Sequence, residues 1–189
     1  MEVKIRHLTP NPYSRRQDRM QDVRGIALHW VQNPGTSAHF NWVFFEGRKS
    51  GKTGEGSAHY IVGLDGEILQ VMPENEVAFH AGPTSETLPK AMQKYGPWPN
   101  AHLIGIELCH LDWEGRFSYA TMQSATELCA SLCRKYDLNL PAAITTHNAI
   151  TGKDCPRWFV NHPEDLTKFR QAVFGLICLA EAQGESGAI

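Results

Sequence analysis

The chain has 189 residues, 42% of them hydrophobic, which suits one compact domain with a full core. Its 18 Lys and Arg against 20 Asp and Glu leave a formal net charge of −2, which argues against a general nucleic-acid binder resting on a basic surface. No apolar run of about 18 residues occurs, so no transmembrane helix is expected.

The segment Met1–Pro10 lacks the apolar stretch of a secretory signal, so the chain is expected to be made in the cytoplasm without a leader. Residues 1–21 read as an N-terminal extension packed on the domain. The cations Lys4, Arg6, Arg15, Arg16, Arg19 and Arg24 outnumber the acids of this region, a weak hint of an anionic partner. Val23–Val31 is a largely apolar strand ending at the turn signal Asn33-Pro34-Gly35. Thr36 to Lys49 has helical spacing, with Phe40, Val43 and Phe44 on one side. Ala58–Val62 and Glu67–Val71 flank Leu64-Asp65-Gly66 as a hairpin. Gly82 to Asn100, rich in proline, reads as a long functional loop. Leu103–Cys109 is a buried strand interrupted by Glu107. A helix over Ala120–Tyr136, a short strand Ala143–Thr146 and a last helix over Pro163–Ala180 follow, with residues 181–189 as a flexible tail. These elements predict a single α/β domain with a central mixed sheet flanked by helices, its main body spanning 22–180.

Five cysteines make an odd count without the spacing of a disulfide scaffold. Cys129 and Cys133 fall on the apolar side of a helical pattern, and Cys178 sits among Phe174, Leu176, Ile177 and Leu179. All three read as core residues. Cys155 differs, because it lies in a polar loop before Pro156.

That loop, His147-Asn-Ala-Ile-Thr-Gly-Lys153-Asp154-Cys155-Pro156, is too rich in turn formers to read as a helix, and it holds two metal-ligand types. His29, near the end of the first strand, is either a packed histidine or a third ligand, since interior α/β strands place ligands at their ends. With His147 and Cys155 it would complete a catalytic zinc set of three protein ligands and one open position for water. Glu107 costs several kcal/mol to bury unpaired, so it is either salt-bridged or a general base turned to a cleft. Lys153 is either a solvated loop cation or an oxyanion stabiliser.

Leu28-His29-Trp30, Ser57-Ala-His-Tyr60 before Leu-Asp-Gly, Phe79-His80-Ala-Gly82, Ile104-Gly-Ile-Glu107 and His147…Lys153-Asp-Cys155-Pro156 occur in that order. Together they resemble the zinc-dependent N-acetylmuramoyl-L-alanine amidases of the type 2 family, over residues 22 to 170. The family includes phage endolysins, autolysins, muropeptide-recycling amidases and animal peptidoglycan recognition proteins, so the resemblance implies a peptidoglycan-recognition-protein-like amidase fold. It implies one Zn2+ per chain, held by His29, His147 and Cys155. Glu107 would polarise the zinc-bound water and pass its proton to the leaving amine, and Lys153 would steady the oxyanion. The substrate would be the amide between N-acetylmuramic acid and L-alanine.

His80, Trp30 and Asn33 are expected to bind substrate, and His59 to be structural. Because Glu107 is present, Tyr60 is not assigned as the catalytic acid. Trp30, Trp98, Trp113 and Trp158 either stack on sugars or pack locally. The cysteine ligand and the starts Asn11-Pro-Tyr-Ser14 and Asn33-Pro-Gly-Thr-Ser37 resemble endolysins and autolysins of Gram-positive systems, which reach the wall after lysis. The implied partner is peptidoglycan or a muropeptide, with a monomeric enzyme and no nucleic acid. Three rivals stand beside this reading: a muropeptide-binding module without activity, a thiol hydrolase using Cys155 with His147, and a cytosolic recycling amidase.

Overall fold

The computed structural model describes residues 1–82, 88–138 and 142–184. Among the described residues, six strands form one mixed sheet in the order β1-β4-β3-β5-β2-β6. They are β1 (Val3–Ile5), β2 (Gly25–Trp30), β3 (Tyr60–Val62), β4 (Ile68–Gln70), β5 (Leu103–Leu108) and β6 (Ile144–Thr146). Only β3 and β4 pair antiparallel, joined by the expected hairpin turn; the other neighbours are parallel. The helices are α1 (Ala38–Gly47), α2 (Leu88–Tyr95), α3 (Tyr119–Lys135), α4 (His147–Thr151), α5 (Arg157–Asn161) and α6 (Pro163–Ala182).

Alternation along β2 and β5 divides the molecule. Ile26 and Leu28, with Ile104, Ile106 and Leu108, face one side. There they join Tyr60, Val62 and Ile144 in the larger core against α3 and α6, through Leu128, Cys129, Leu132, Phe169 and Val173. Each fully buried Leu or Ile contributes about 1.5–3 kcal/mol. The intervening residues face the other side, where Ile61 and Leu69 pack on Ala38 and Phe45 of α1. Ala27 lies there against Ala91 and Tyr95 of α2 and Ile150 of α4. His29 and Glu107 belong to this second face.

Residues 3–5 supply the edge strand beside β4. Behind it, Arg15 grips Glu76 through two bonds of 2.7 Å and donates to the Leu8 carbonyl at 2.6 Å.

Several expectations need correction. The proline-rich stretch from Gly82 is not one loop, since α2 occupies Leu88–Tyr95 with Pro89 in its first turn, where proline is tolerated. Residues 83–87 lie outside the described residues. Phe40, Val43 and Phe44 of α1 are exposed, and the buried stripe is Ala38, Asn41 and Phe45. Cys178 is exposed. Helix α6 docks through Phe169, Val173 and half-buried Ile177, so a residue one step further is rotated about 100° away from the contact. Cys129 and Cys133 are buried as expected. The tail expected from 181 begins within α6, and its last residues, 185–189, lie outside the described ones.

Candidate metal centre

Three parallel strands, β2, β5 and β6, bring their C-terminal ends to one edge of the sheet. Ligands in open α/β sheets collect at such edges. His29 lies one residue before the end of β2, and Glu107 one residue before the end of β5. The two are register partners, so both side chains leave the same face. His147 follows β6 directly.

The segment after β6 corrects another expectation, because His147–Thr151 is the short helix α4. Thr146 caps it by accepting the Ala149 N–H at 3.2 Å, and Gly152 ends it in the left-handed region at φ 78°. The chain then doubles back. Asn148 donates its backbone N–H to the Cys155 carbonyl at 2.8 Å and its side-chain amide to the Lys153 carbonyl at 2.9 Å. This return places Cys155 beside His147.

One donor atom each from His29, His147 and Cys155 lies within 4.8 Å of the others. His29 Nδ1 is 3.0 Å from His147 Nδ1 and 3.8 Å from Cys155 Sγ. Two imidazoles and a thiol, converging from three segments, form a donor set suited to zinc. Burial keeps the imidazoles neutral, as ligation requires: it lowers His29 far below its usual value, and His147 to about 4. Burial, with the charge of Glu107, pushes the Cys155 thiol up to about 12, while the Trp30 backbone N–H bonded to it pulls the other way. A bound divalent cation reverses that balance by favouring the thiolate.

Glu107 as a residue is partly exposed, but its carboxyl group is enclosed by protein. Burial raises its pKa to about 8, against the pull of Lys153 and Arg48. Its Oε2 is buried without a hydrogen-bond partner among the described residues. A salt-bridged structural carboxylate would have found one. Lys153 is exposed, with its charge acting on Glu107, His147 and Cys155.

The substrate-binding expectations for His80 and Trp30 give way to internal roles. His80 is buried, bonded through Nδ1 to His29 Nε2 at 3.0 Å and through Nε2 to the Leu103 carbonyl at 3.1 Å, with no ring nitrogen left for a ligand. Trp30 follows His29 in the same strand, so alternation sends it to the opposite face. It is 4% exposed, packed at a tilt against His110 with ring centroids 4.5 Å apart and covered by the Arg157 guanidinium. Asn33 is exposed in the turn after β2, its N–H donated to His110 Nε2 at 3.2 Å.

His59 is tied to the backbone on both nitrogens: Nδ1 accepts from Gly105 N–H at 3.0 Å and Nε2 bonds the Glu76 carbonyl at 2.9 Å. Tyr60 donates to Glu74, away from His29 by strand alternation. Trp158 packs on His162 and donates to Asp165, whereas Trp98 and Trp113 are exposed.

Arg48 carried no signal in the sequence. It follows the last residue of α1, and its Nη1 donates to the Thr53, Gly54 and Glu55 carbonyls at 2.7, 3.2 and 2.9 Å. It thereby ties down the glycine-rich loop near Glu107, which feels its charge.

A family model described as N-acetylmuramoyl-L-alanine amidase matches residues 19–158. The chain belongs to that family. Among curated relatives, the N-acetylmuramoyl-L-alanine amidase CwlL of Bacillus licheniformis is 34% identical over 168 residues, covering 88% of this chain and 45% of the relative. The amidase BlyA of Bacillus subtilis (strain 168) is 30% identical over 172 residues, with the same coverages of 88% and 45%. The chain therefore spans about half the length of the curated relatives it matches. Among solved structures, the PlyG catalytic domain superposes with a TM-score of 0.72 at 20% identity, covering 93% of this chain and 94% of that one. The catalytic domain of XlyA gives 0.69 at 21% identity, covering 92% and 99%. At such identities these likenesses show the amidase-domain fold alone. They match the expected mixed sheet with flanking helices.

Proposed function

We propose that this chain hydrolyses the amide joining N-acetylmuramic acid to L-alanine in peptidoglycan, as the catalytic domain of an endolysin or autolysin. The observation that carries the reading is the convergence of His29 Nδ1, His147 Nδ1 and Cys155 Sγ beside Glu107, its register partner on β5. His29, His147 and Cys155 would hold one zinc ion, which when bound polarises the scissile carbonyl and acidifies a water. Glu107, its pKa raised to about 8 by burial, acts in its deprotonated form: it takes the proton of the attacking water and delivers it to the leaving amine of L-alanine. Lys153 supplies a cation to the oxyanion of the tetrahedral intermediate. Asn33, exposed at the same strand end as His29, is the remaining candidate for substrate contact.

The thiol-hydrolase rival has little support. Cys155 is 2% exposed with its thiol pushed up to about 12, whereas a nucleophilic cysteine is accessible and has a lowered pKa. A binding module would not need a buried, raised-pKa carboxylate without a hydrogen-bond partner on Oε2 beside the ligand set. Among the described residues no helix is long and apolar enough to cross a membrane.

Digestion of purified cell walls, with mass spectrometry of the products, tests the reading. Stem peptides with free L-alanine amino termini should appear, and 1,10-phenanthroline should abolish them. Release that survives chelation, or cleavage at another bond, overturns it. Preference for soluble anhydro-muropeptides over intact sacculi would transfer the chain to the recycling branch.

A further inference from the structure

We infer that His80 is a positioning residue that sets the tautomer of His29, making His29 Nδ1 a ready ligand atom before a metal arrives. The inference rests on the zinc reading of the site. A neutral imidazole has one donor nitrogen and one acceptor. The Leu103 carbonyl can only accept, so His80 Nε2 is the donor at 3.1 Å. His80 Nδ1 is then the acceptor, and the bond of 3.0 Å to His29 must be donated by His29 Nε2. His29 Nδ1 is left with its lone pair, facing His147 Nδ1 and Cys155 Sγ. The other tautomer would set two lone pairs against each other at His80 and put a proton where a metal must bind.

The neighbouring structure holds His80 in this one orientation. Asn100 Oδ1 accepts the backbone N–H groups of His80 and Ala81 at 3.3 and 2.8 Å. Gly105 makes room for the ring, since a Cβ there would come within 2.6 Å of His80 Cγ and Cδ2. His59, whose ring is 6.0 Å away, has both nitrogens engaged elsewhere and offers His80 no competing bond. Partners of this kind behind a metal-binding histidine fix its ring and raise its basicity.

The experiment reads imidazole 15N shifts in the metal-free protein, and zinc affinity by competition with a chromogenic chelator. In the wild type His29 should be the Nε2–H tautomer. His80→Leu should yield a mixed tautomer and bind zinc about 10–100-fold more weakly. His80→Asn keeps an acceptor for His29 and should recover much of the affinity. Gly105→Ala, which displaces the ring, should resemble His80→Leu. A folded His80→Leu protein with wild-type zinc affinity overturns the inference, as does an Nδ1–H His29 in the wild type. The wild-type tautomer decides the matter even where His80→Leu does not fold. Absence of stoichiometric zinc binding by the wild type would instead sink the zinc reading, leaving the tautomer measurement to judge the histidine pair.

Discussion

His29 and Glu107 are direct partners on the parallel strands β2 and β5, so a metal-ligand type and a raised-pKa carboxylate leave the same face of the sheet side by side. A general base must lie within about one water of the proton it removes. The register supplies that proximity without any loop needing to move.

Glu107→Gln keeps the shape but removes the base. Turnover on cell walls should fall at least about 100-fold, with the zinc content unchanged. Lys153→Met should lower kcat about 100–1000-fold if it serves the oxyanion, with little change in KM. Wild-type turnover in either variant would remove that residue from the mechanism, and zinc analysis of the same samples separates lost chemistry from lost metal.

Cys155→Ser replaces a soft ligand with a poor one at a buried position. Added zinc should raise the Tm of the metal-free wild type by mass action, through a stabilisation of about 2.7 kcal/mol at 100 times Kd. It should leave Cys155→Ser nearly unmoved. Equal shifts by calorimetry in both proteins would place the zinc elsewhere.

Trp30 is enclosed rather than presented to a glycan. Trp30→Ala should cost about 3–5 kcal/mol of stability in urea unfolding. A stable variant with only a raised KM would restore the sugar-stacking role.

Glu74 accepts hydrogen bonds from Tyr60 and Tyr136 and pairs with Lys135 at 3.2 Å. Burial by itself would raise its pKa, but the Tyr136 and Tyr60 hydroxyls and the Lys135 charge outweigh it and leave the carboxyl below its usual value. A lowered folded-state pKa means the unfolded chain binds the proton more tightly. The stabilisation is therefore complete above the ordinary Glu range, about pH 4.3, and is lost as pH falls through the folded value. Tyr136→Phe should cost about 1.5–3 kcal/mol at pH 7 and noticeably less near pH 3, as read by denaturant titration at both pH values. A pH-independent cost would mean the hydroxyl acts through packing alone.

Much of this site was legible before any coordinates. His29 and Glu107 stood out because each is a polar residue inside an apolar strand, and burying such groups needs a reason. His147, Lys153 and Cys155 stood out by ligand chemistry and spacing. The inward role of Trp30 was also available, since neighbouring residues in a strand cannot share a face. The helix α4 was missed, because a five-residue helix carries no periodicity to weigh against turn formers. On α1 the aromatic residues at helical spacing pointed to the wrong stripe, because the buried positions include the small Ala38 and the polar Asn41.

By itself, the sequence determined the α/β class, the strands that carry the site and the types of ligand and base they bring. Only the tertiary structure decided which atoms of those residues meet. The bonds that orient His29 join it to His80 and His147, which are 51 and 118 positions away. Local periodicity reports which face a residue takes, but a hydrogen bond between distant segments depends on sheet order and register, which no stretch of sequence contains alone. That is why His80 read as a substrate-binding residue in the sequence and stands behind His29 in the fold.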